Sequence, residues 1–213
     1  MENLQELLPN IVVFGMFIMS IVAHEVAHGW IAFRRGDPTA MMLGRLTFNP
    51  IKHIDPWYTI IMPLITWYTI GIFFGGAKPV PINPYKLGHM DRDMMLTALA
   101  GPLTNIMIAL FFTVPLMILA HVGTASPVAI FIFIKITIIN LALATFNMVP
   151  IPPLDGSRVL RYFMPPAIRS GMDQMERYGL FMVLIVIVVF GDQLNALLKF
   201  VIGNYLKFVL PHA

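Results

Sequence analysis

The segment His24-Glu25-Val26-Ala27-His28 carries the residue types of a metal-dependent hydrolase. Side chains four residues apart on an α-helix share a face, so His24 and His28 can present two imidazoles to one zinc ion. Glu25 then lies beside them as a base for a water molecule at the metal. The same short pattern also arises by chance, but here it lies within an apolar run, where burying ionisable groups is costly and indicates a functional site.

The composition is that of a membrane protein. Of the 213 residues, 58% are hydrophobic and 12% are charged, and the mean hydropathy is +0.78. The formal net charge of +3 is small, and the basic residues lie in short loops between apolar runs, where they set orientation rather than bind nucleic acid. Cysteine is absent, so histidine, aspartate and glutamate are the available zinc ligands. We therefore expect a multi-pass protein of the lipid bilayer with no nucleic-acid partner.

A second polar cluster ends a later apolar run, at the segment Asn147 to Gly156 (NMVPIPPLDG). Its three prolines within four positions cannot continue a helix, and irregular backbone at membrane depth is tolerated only beside protein or a water-filled cavity. Asp155, freed from helical geometry next to Gly156, could complete a His-His-Asp zinc site with an open fourth position. The alternative is that Asp155 caps a following helix, Ser157 to Met164.

Apolar helices must position these groups. The first run extends from about Pro9 to Phe33, and two later runs from about Asp93 to Leu119 and from Val128 to Val149; each is long enough to span a bilayer. A last run, Tyr178 to Phe190, continues towards Leu198. The sequence leaves open whether the tail, Leu194 to Leu210, belongs to it or forms a separate interfacial or re-entrant helix.

Two short segments are predicted to be extended. The alternation of residues 44–48, ahead of Asn49-Pro50, indicates a strand. The alternate prolines of residues 77–84 forbid a helix and permit only an edge strand or polyproline geometry.

The apolar run between these two segments, Trp57 to Phe74, is interrupted by Pro63 and Gly71. A full crossing would reverse every later helix and place Asp155 roughly 20 Å from the imidazoles across the bilayer, far beyond a coordination bond. It would also place the later arginine-rich segment outside the cell, against the positive-inside rule. We therefore predict that this run does not cross the membrane but forms a re-entrant hairpin or a tilted partial insertion and returns on the same side.

Charge asymmetry predicts the orientation. Arg34, Arg35, Arg45 and Lys52 follow the first run, whereas no basic residue precedes it. The excess of basic residues marks the cytoplasmic side. We expect the N-terminus outside and the active site in the cytoplasmic half of the cell membrane.

These observations together predict an all-α polytopic membrane protein with about four to six transmembrane helices, short membrane-associated extended segments and a re-entrant segment. A single membrane-embedded metalloprotease domain is expected to cover residues 1–213. Its catalytic core would occupy about residues 9–165, and its C-terminal helices about residues 174–210.

The motifs resemble those of the site-2 proteases, a family of intramembrane zinc metalloproteases, in its compact single-domain bacterial and archaeal branch. The resemblance rests on three elements in the same order: HEVAH at residues 24–28, Gly101-Pro102 followed by Asn105, and the segment Asn147 to Gly156. Residues 44–47, 49–56 and 77–81 are also similar.

This resemblance implies one zinc ion per chain, held by His24, His28 and Asp155, with Glu25 activating the water. It further implies that Asn147 holds the substrate carbonyl or oxyanion, and that the substrates are transmembrane proteins cut in or near their spanning segments. Asn105 and His53 are further candidates for binding substrate or supporting the ligands, although a histidine in a loop is usually solvated.

Two other classes of protein could contain the same residues. A membrane transporter for metal ions or protons would use buried His, Glu and Asp side chains, but would distribute polar groups across the bilayer rather than towards one face. A catalytically silent scaffold that binds membrane helices would be expected to have a damaged motif, whereas the HExxH and LDG elements are intact.

Overall fold

The computed structural model describes residues 2–61, 64–65, 68, 76–122 and 126–209. Regular structure in these ranges is helical, without a strand. The long helices are α1 (Glu2–Arg34), α3 (Met90–Val122), α4 (Pro127–Asn147) and α7 (Gly179–Val209), and the short ones are α2 (Thr39–Met42), α5 (Asp155–Phe163) and α6 (Pro166–Glu176). Single turns of 3₁₀ or π helix lie at Pro50–His53, Pro56–Ile61 and Pro84–Lys86.

Four helical segments are long and apolar enough to cross a bilayer: Leu7–Arg34, Met90–Ile118, Pro127–Asn147 and Phe181–Val209. Only 11% to 33% of the residues in their most apolar windows are buried inside the protein. Large apolar side chains such as Phe14, Phe111 and Val188 point outwards, which is expected where lipid replaces water as the solvent. The predicted all-α polytopic membrane protein is confirmed, with four spanning helices among the described residues.

Helix α3 is the centre of the bundle, because it packs against α1, α4 and α5. Its buried positions include the small residues Ala98, Gly101 and Ala109. Small side chains allow helix axes to approach closely in a membrane, where lipid offers no hydrophobic drive for association. Close packing of α3 on α1 is what brings polar side chains of the two helices into contact.

The C-terminus of α1 and the N-terminus of α3 lie at the same end of the bundle, which we call the basal end. The carbonyl of Arg35 accepts a hydrogen bond from the N–H of Gly88 at 2.9 Å, and the carboxylate of Asp37 accepts one from the N–H of Asn83 at 2.6 Å. Helices α5 and α6 join this end, since Arg161 and Arg169 both form ion pairs with Asp91 of α3.

Most of the run Trp57 to Phe74, and with it the predicted re-entrant turn, lies outside the described residues. Its flanks are described, and they meet. The N–H of Lys78 donates to the carbonyl of His53 at 2.8 Å, and the hydroxyl of Thr59 donates to the carbonyl of Gly76 at 2.8 Å. The two flanks of the run therefore lie side by side.

The strand predicted at residues 44–48 is wrong. The segment forms a turn and bends after α2, with Gly44 in a left-handed conformation at φ 63°. The alternating side chains of this segment make individual contacts and not the contacts of a sheet. The buried guanidinium of Arg45, for example, donates to the carbonyl of Lys78 at 2.7 Å. Residues 77–83, called the strap below, form neither a helix, which their prolines exclude, nor the edge strand that the sequence allowed.

Two helix boundaries differ from the sequence expectation. Helix α1 begins at Glu2, so Pro9 lies inside it rather than at its start. The tail that the sequence left open lies in α7, which continues to Val209 but is kinked at Phe190, where the backbone angles are not helical (φ −114°, ψ 18°).

Candidate metal centre

The two imidazoles of α1 converge on one carboxylate of α5. The Oδ2 atom of Asp155 lies 3.2 Å from Nε2 of His24 and 3.3 Å from Nε2 of His28. All three residues are buried, and their candidate ligand atoms lie within 4.8 Å of one another. Ligand atoms at about 2.0–2.2 Å from a tetrahedral zinc ion are about 3.3 Å apart. The observed spacing therefore fits a zinc site.

The other ring nitrogen of each histidine is already bonded. Nδ1 of His24 donates to Oδ1 of Asn105 at 2.6 Å, and Nδ1 of His28 donates to the carbonyl of Thr97 at 2.7 Å. A carbonyl oxygen can only accept, so each neutral ring carries its proton on Nδ1 and its lone pair on Nε2. Two lone pairs then face a carboxylate, an arrangement that is repulsive unless a cation lies between them.

Asn105 is itself held by residues of two further helices. Its Nδ2 donates to Oδ1 of Asn140 at 2.9 Å, and Nδ2 of Asn140 donates to Oγ of Ser20 at 3.0 Å. All three side chains are buried. The chain of bonds keeps the carbonyl of Asn105 turned towards His24. Sequence reasoning missed Asn140 and Ser20, although an amide in an otherwise apolar spanning helix is a signal that could have identified Asn140.

Gly101 of α3 packs directly against both imidazoles. A Cβ atom at this position would lie 2.5 Å from Nε2 of His24 and 2.5 Å from Nε2 of His28. Such distances are far inside van der Waals contact, so no side chain fits without moving the rings. Gly101 belongs to the second motif of the sequence resemblance, and this contact gives a steric reason for a glycine at that position.

Asp155 is the first residue of α5, not a residue free of helical geometry as predicted. Leu154 occupies the N-cap position, and no side-chain capping bond is formed at this end of α5, so the capping alternative does not describe Asp155 either. The preceding turn ends α4 and folds back tightly: a Cβ on Gly156 would lie 2.2 Å from the carbonyl oxygen of Met148. That close approach is what carries Asp155 to α1.

The charges around the cluster are shifted by their surroundings. Burial raises the pKa of Asp155, but attraction to the protonated forms of His28 and His24, and hydrogen bonds from them, outweigh it and hold the pKa of this carboxyl below its usual range. Burial lowers the pKa of Arg158, one turn along α5, while the neighbouring carboxylates of Glu176, Asp155 and Glu25 raise it above its ordinary value. Both side chains are therefore charged at neutral pH.

Glu25 is held by the strap. Its Oε2 accepts a hydrogen bond from the backbone N–H of Val80 at 2.8 Å. The strap can approach α1 here because position 29 is glycine: a Cβ there would lie 2.8 Å from Cγ1 of Val80 and 2.6 Å from Cδ2 of Leu46. The bond fixes one carboxylate oxygen next to the histidines and leaves the other for a proton.

A cavity of about 460 Å³ opens beside these groups. It is lined by the three candidate ligands and Glu25, by Asn147 at the end of α4, by the strap and by Arg158. One N–H of the Asn147 amide donates to the carbonyl of Leu143 at 2.9 Å. The structure thus brings Asn147 to the same cavity as the HEVAH residues.

His53 is not among the residues that line this cavity. Its side chain is buried in the loop that follows α2, and Nε2 donates to the carbonyl of Thr47 at 2.9 Å. Its own carbonyl accepts from Lys78 at the base of the strap. In this arrangement His53 connects the loop and the strap.

The chain is similar to several known proteins. Residues 115–191 match Peptidase family M50. The chain is 37% identical over 188 residues to "Putative zinc metalloprotease YwhC" of Bacillus subtilis, covering 85% of this chain and 81% of that protein. It is 28% identical over 183 residues to "Putative zinc metalloprotease Rip2" of Mycolicibacterium smegmatis, which covers 84% of this chain and 67% of that protein. It is 31% identical over 156 residues to "Putative zinc metalloprotease MJ0611" of Methanocaldococcus jannaschii, which covers 69% of this chain and 71% of that protein. No solved structure matches the chain.

Two buried histidines of a spanning helix and a buried aspartate of α5 form a cluster that could hold a metal ion, in a bundle with four apolar spanning helices, and this combination is that of a membrane-embedded metalloprotein. The chain belongs to peptidase family M50, the site-2 proteases, as its similarity to YwhC over most of both proteins shows. The resemblance inferred from the motifs is confirmed. The alternative of a membrane metal-ion or proton transporter is not supported, because the matching family and the relatives named above are peptidases.

Proposed function

We propose that this chain is a zinc endopeptidase that hydrolyses peptide bonds in or near the transmembrane segments of other membrane proteins. The observation that carries the proposal is the convergence of His24 Nε2, His28 Nε2 and Asp155 Oδ2 at ligand spacing inside the bundle. These three atoms would hold one zinc ion per chain. When bound, zinc polarises the scissile carbonyl and lowers the pKa of a water molecule to about 7.

The remaining residues of the cavity act on protons and on the substrate. Glu25, in the HExxH motif, is the base that takes a proton from the attacking water and later passes it to the leaving amine. The N–H of Val80 orients this carboxylate through Oε2. Asn147 has a second amide N–H beyond the one bonded to Leu143, and this group is proposed to hold the carbonyl oxygen of the substrate. Asn105 orients the ring of His24.

The substrate must unwind before it can be cut, because a transmembrane helix satisfies its backbone hydrogen bonds internally. We expect cleavage in the half of a substrate segment that lies level with residues 24–28, near the basal end of α1. Introducing Gly, Asn or Pro near the scissile bond should accelerate cleavage by lowering the cost of unwinding. Mass spectrometry of product termini from a reconstituted single-pass substrate tests this, and cuts clustered at the opposite membrane face would contradict it.

The orientation in the cell membrane is a further part of the proposal, with the N-terminus outside and the basal end in the cytoplasm. The chain has no cysteine, so single cysteines can be introduced at the exposed basal positions Met42, Lys86 and Pro165. We expect all three to be protected from an impermeant thiol reagent in intact cells. The matched control is Ser126, an exposed residue between α3 and α4, which should be labelled from outside. Labelling of position 86 before the membrane is opened would overturn this topology.

Substitution of Gly101 by alanine should weaken metal binding. The added methyl group would displace the imidazoles, and we expect a loss of about 10-fold or more in zinc affinity, comparable to the loss of a group that orients a ligand. Zinc content after dialysis against a graded series of chelator concentrations measures the effect. Gly15→Ala in α1 is the control, because a Cβ there meets nothing within 4 Å. If both variants kept zinc equally well, Gly101 would not position the rings.

We also propose that residues 1–213 work as one membrane-embedded domain, with a catalytic core at about residues 9–165 and C-terminal helices at about 174–210. Two contacts support a close association of the two parts. The hydroxyl groups of Thr113 in α3 and Tyr205 in α7 are hydrogen-bonded, and Val183 of α7 lines the cavity of the metal centre. Transmembrane proteins as substrates and the lipid bilayer are the proposed partners.

A further inference from the structure

Helix α6 lies at the basal end of the bundle, where Arg169 forms an ion pair with Asp91 at the start of α3. It ends at Glu176, and the spanning part of α7 begins at Phe181, so few residues separate the two. Its residues Ile168 and Met175, which are two turns apart on one face, are exposed. Arg169 and Asp173 lie on another face and form ion pairs with the bundle. Such an amphipathic helix is typical of the boundary between headgroups and acyl chains.

Ion pairs hold α5 and α6 against the start of α3. Nη1 of Arg161 lies 2.8 Å from Asp91, and Nε of the same side chain lies 2.7 Å from Asp173. Nη1 of Arg169 lies 2.5 Å from Asp91, while its remaining nitrogens donate to the carbonyls of Met164 and Tyr162. These guanidinium groups are therefore fixed in position before any ligand arrives.

A second cavity, of about 590 Å³, opens between α5, α6 and the start of α7. The donors that line it are Arg161, Arg169, Arg177, Ser170, Gln174 and Tyr178. Asp173 is the one acidic residue in this lining, and Asp91 lies behind it. Three guanidinium groups thus face two carboxylates. Among the described residues, no hydrogen bond or ion pair engages the guanidinium of Arg177, so one positive charge is left uncompensated.

We propose that this cavity binds the phosphodiester group of an anionic phospholipid. Planar guanidinium groups match phosphate oxygens in charge and geometry, and basic pockets beside spanning helices on the cytoplasmic side are suited to anionic headgroups. A lipid is favoured over a soluble phosphate compound because Tyr178, which is exposed, places the cavity directly beside the first turn of α7. Acyl chains can then lie along the apolar surface of α7. The inference rests on the proposed cytoplasmic position of the basal end, but not on the metal centre or on proteolysis.

Arg177→Gln tests the proposal, because no other described side chain relies on the charge of Arg177. The full chain in neutral detergent micelles is titrated with short-chain phosphatidylglycerol, and the Kd is measured by microscale thermophoresis. We expect Arg177→Gln to weaken binding about five-fold, the effect of one basic residue near an anionic lipid surface. Arg177→Glu should weaken it further. The matched control is Lys52→Gln, which removes one exposed charge at the basal end but none from the cavity, and should change the Kd less than two-fold.

Two further ligands test whether the cavity binds a lipid headgroup or a free phosphate ion. Short-chain phosphatidylcholine has the same phosphodiester without net charge and should bind more weakly than phosphatidylglycerol. Inorganic phosphate should bind more weakly still. Equal affinities for the two lipids, or equal losses in Arg177→Gln and Lys52→Gln, would overturn the proposal, because binding would then reflect apolar contact or bulk charge. Inorganic phosphate that bound as tightly as phosphatidylglycerol would assign the cavity to a soluble anion and overturn the lipid assignment.

Discussion

Glu25→Gln is expected to reduce peptide hydrolysis by about 10²–10⁴-fold, the range contributed by a general base, while zinc remains bound. The side chain contributes no candidate ligand atom, since the converging atoms belong to His24, His28 and Asp155. Glutamine can still accept the hydrogen bond from Val80, so the strap should keep its place. What the amide cannot do is take a proton from water at neutral pH.

The measurement combines two readouts on one preparation. Cleavage of a single-pass membrane protein is followed in proteoliposomes, and zinc per chain is determined on the same sample. Glu6→Gln, near the start of the same helix α1, is the matched control and should retain activity. Loss of zinc in Glu25→Gln would remove Glu25 from the role of base and make it a ligand. Retained activity with zinc bound would exclude it from both roles.

Asp155→Ala is expected to lose both zinc and activity. The substitution removes the carboxylate on which the two Nε2 atoms converge, leaving two buried imidazoles as the remaining ligands of the cluster. Two ligands do not form the three-residue set of a catalytic zinc site, and metal affinity and folding are linked, so thermal stability in the presence of zinc should fall as well.

Zinc per chain and the zinc-dependent rise in Tm are the two quantities to measure. Asp192→Ala in α7 is the matched control, because Asp192 is exposed and lies outside both cavities. His28→Ala should behave as Asp155→Ala does. Full zinc occupancy in Asp155→Ala would remove Asp155 from the ligand set, whereas loss of activity alone would indicate a role in the reaction instead.

The parts of the site that depend on local geometry could be predicted from the sequence. The spacing of His24 and His28 places them on one face of any α-helix, and the length of the apolar runs requires helices that cross a bilayer. The prolines before Asp155 forbid continuation of α4. Each of these inferences uses a property of a short segment, and each agrees with the structure.

Local patterns failed where neighbours from elsewhere in the chain decide the conformation. Residues 44–48 alternate as a strand does, but no partner strand is present in the described ranges, and Arg45 instead binds the strap. Asp155 was expected outside a helix because of its prolines, yet the turn closes tightly enough for α5 to begin at that residue. In both places, contacts with distant parts of the chain override the conformation that the local sequence favours.

By itself, the sequence determined that this is a helical membrane protein with the candidate ligands and the candidate base of a zinc hydrolase, because helical periodicity and apolar length are properties of single segments. Only the tertiary structure decided how these groups are held. The bond from Asn105 to His24 and the bond from Val80 to Glu25 join residues 81 and 55 positions apart. Such pairings follow from how helices pack across small residues such as Gly101, and packing between distant segments leaves no periodic signal in one sequence.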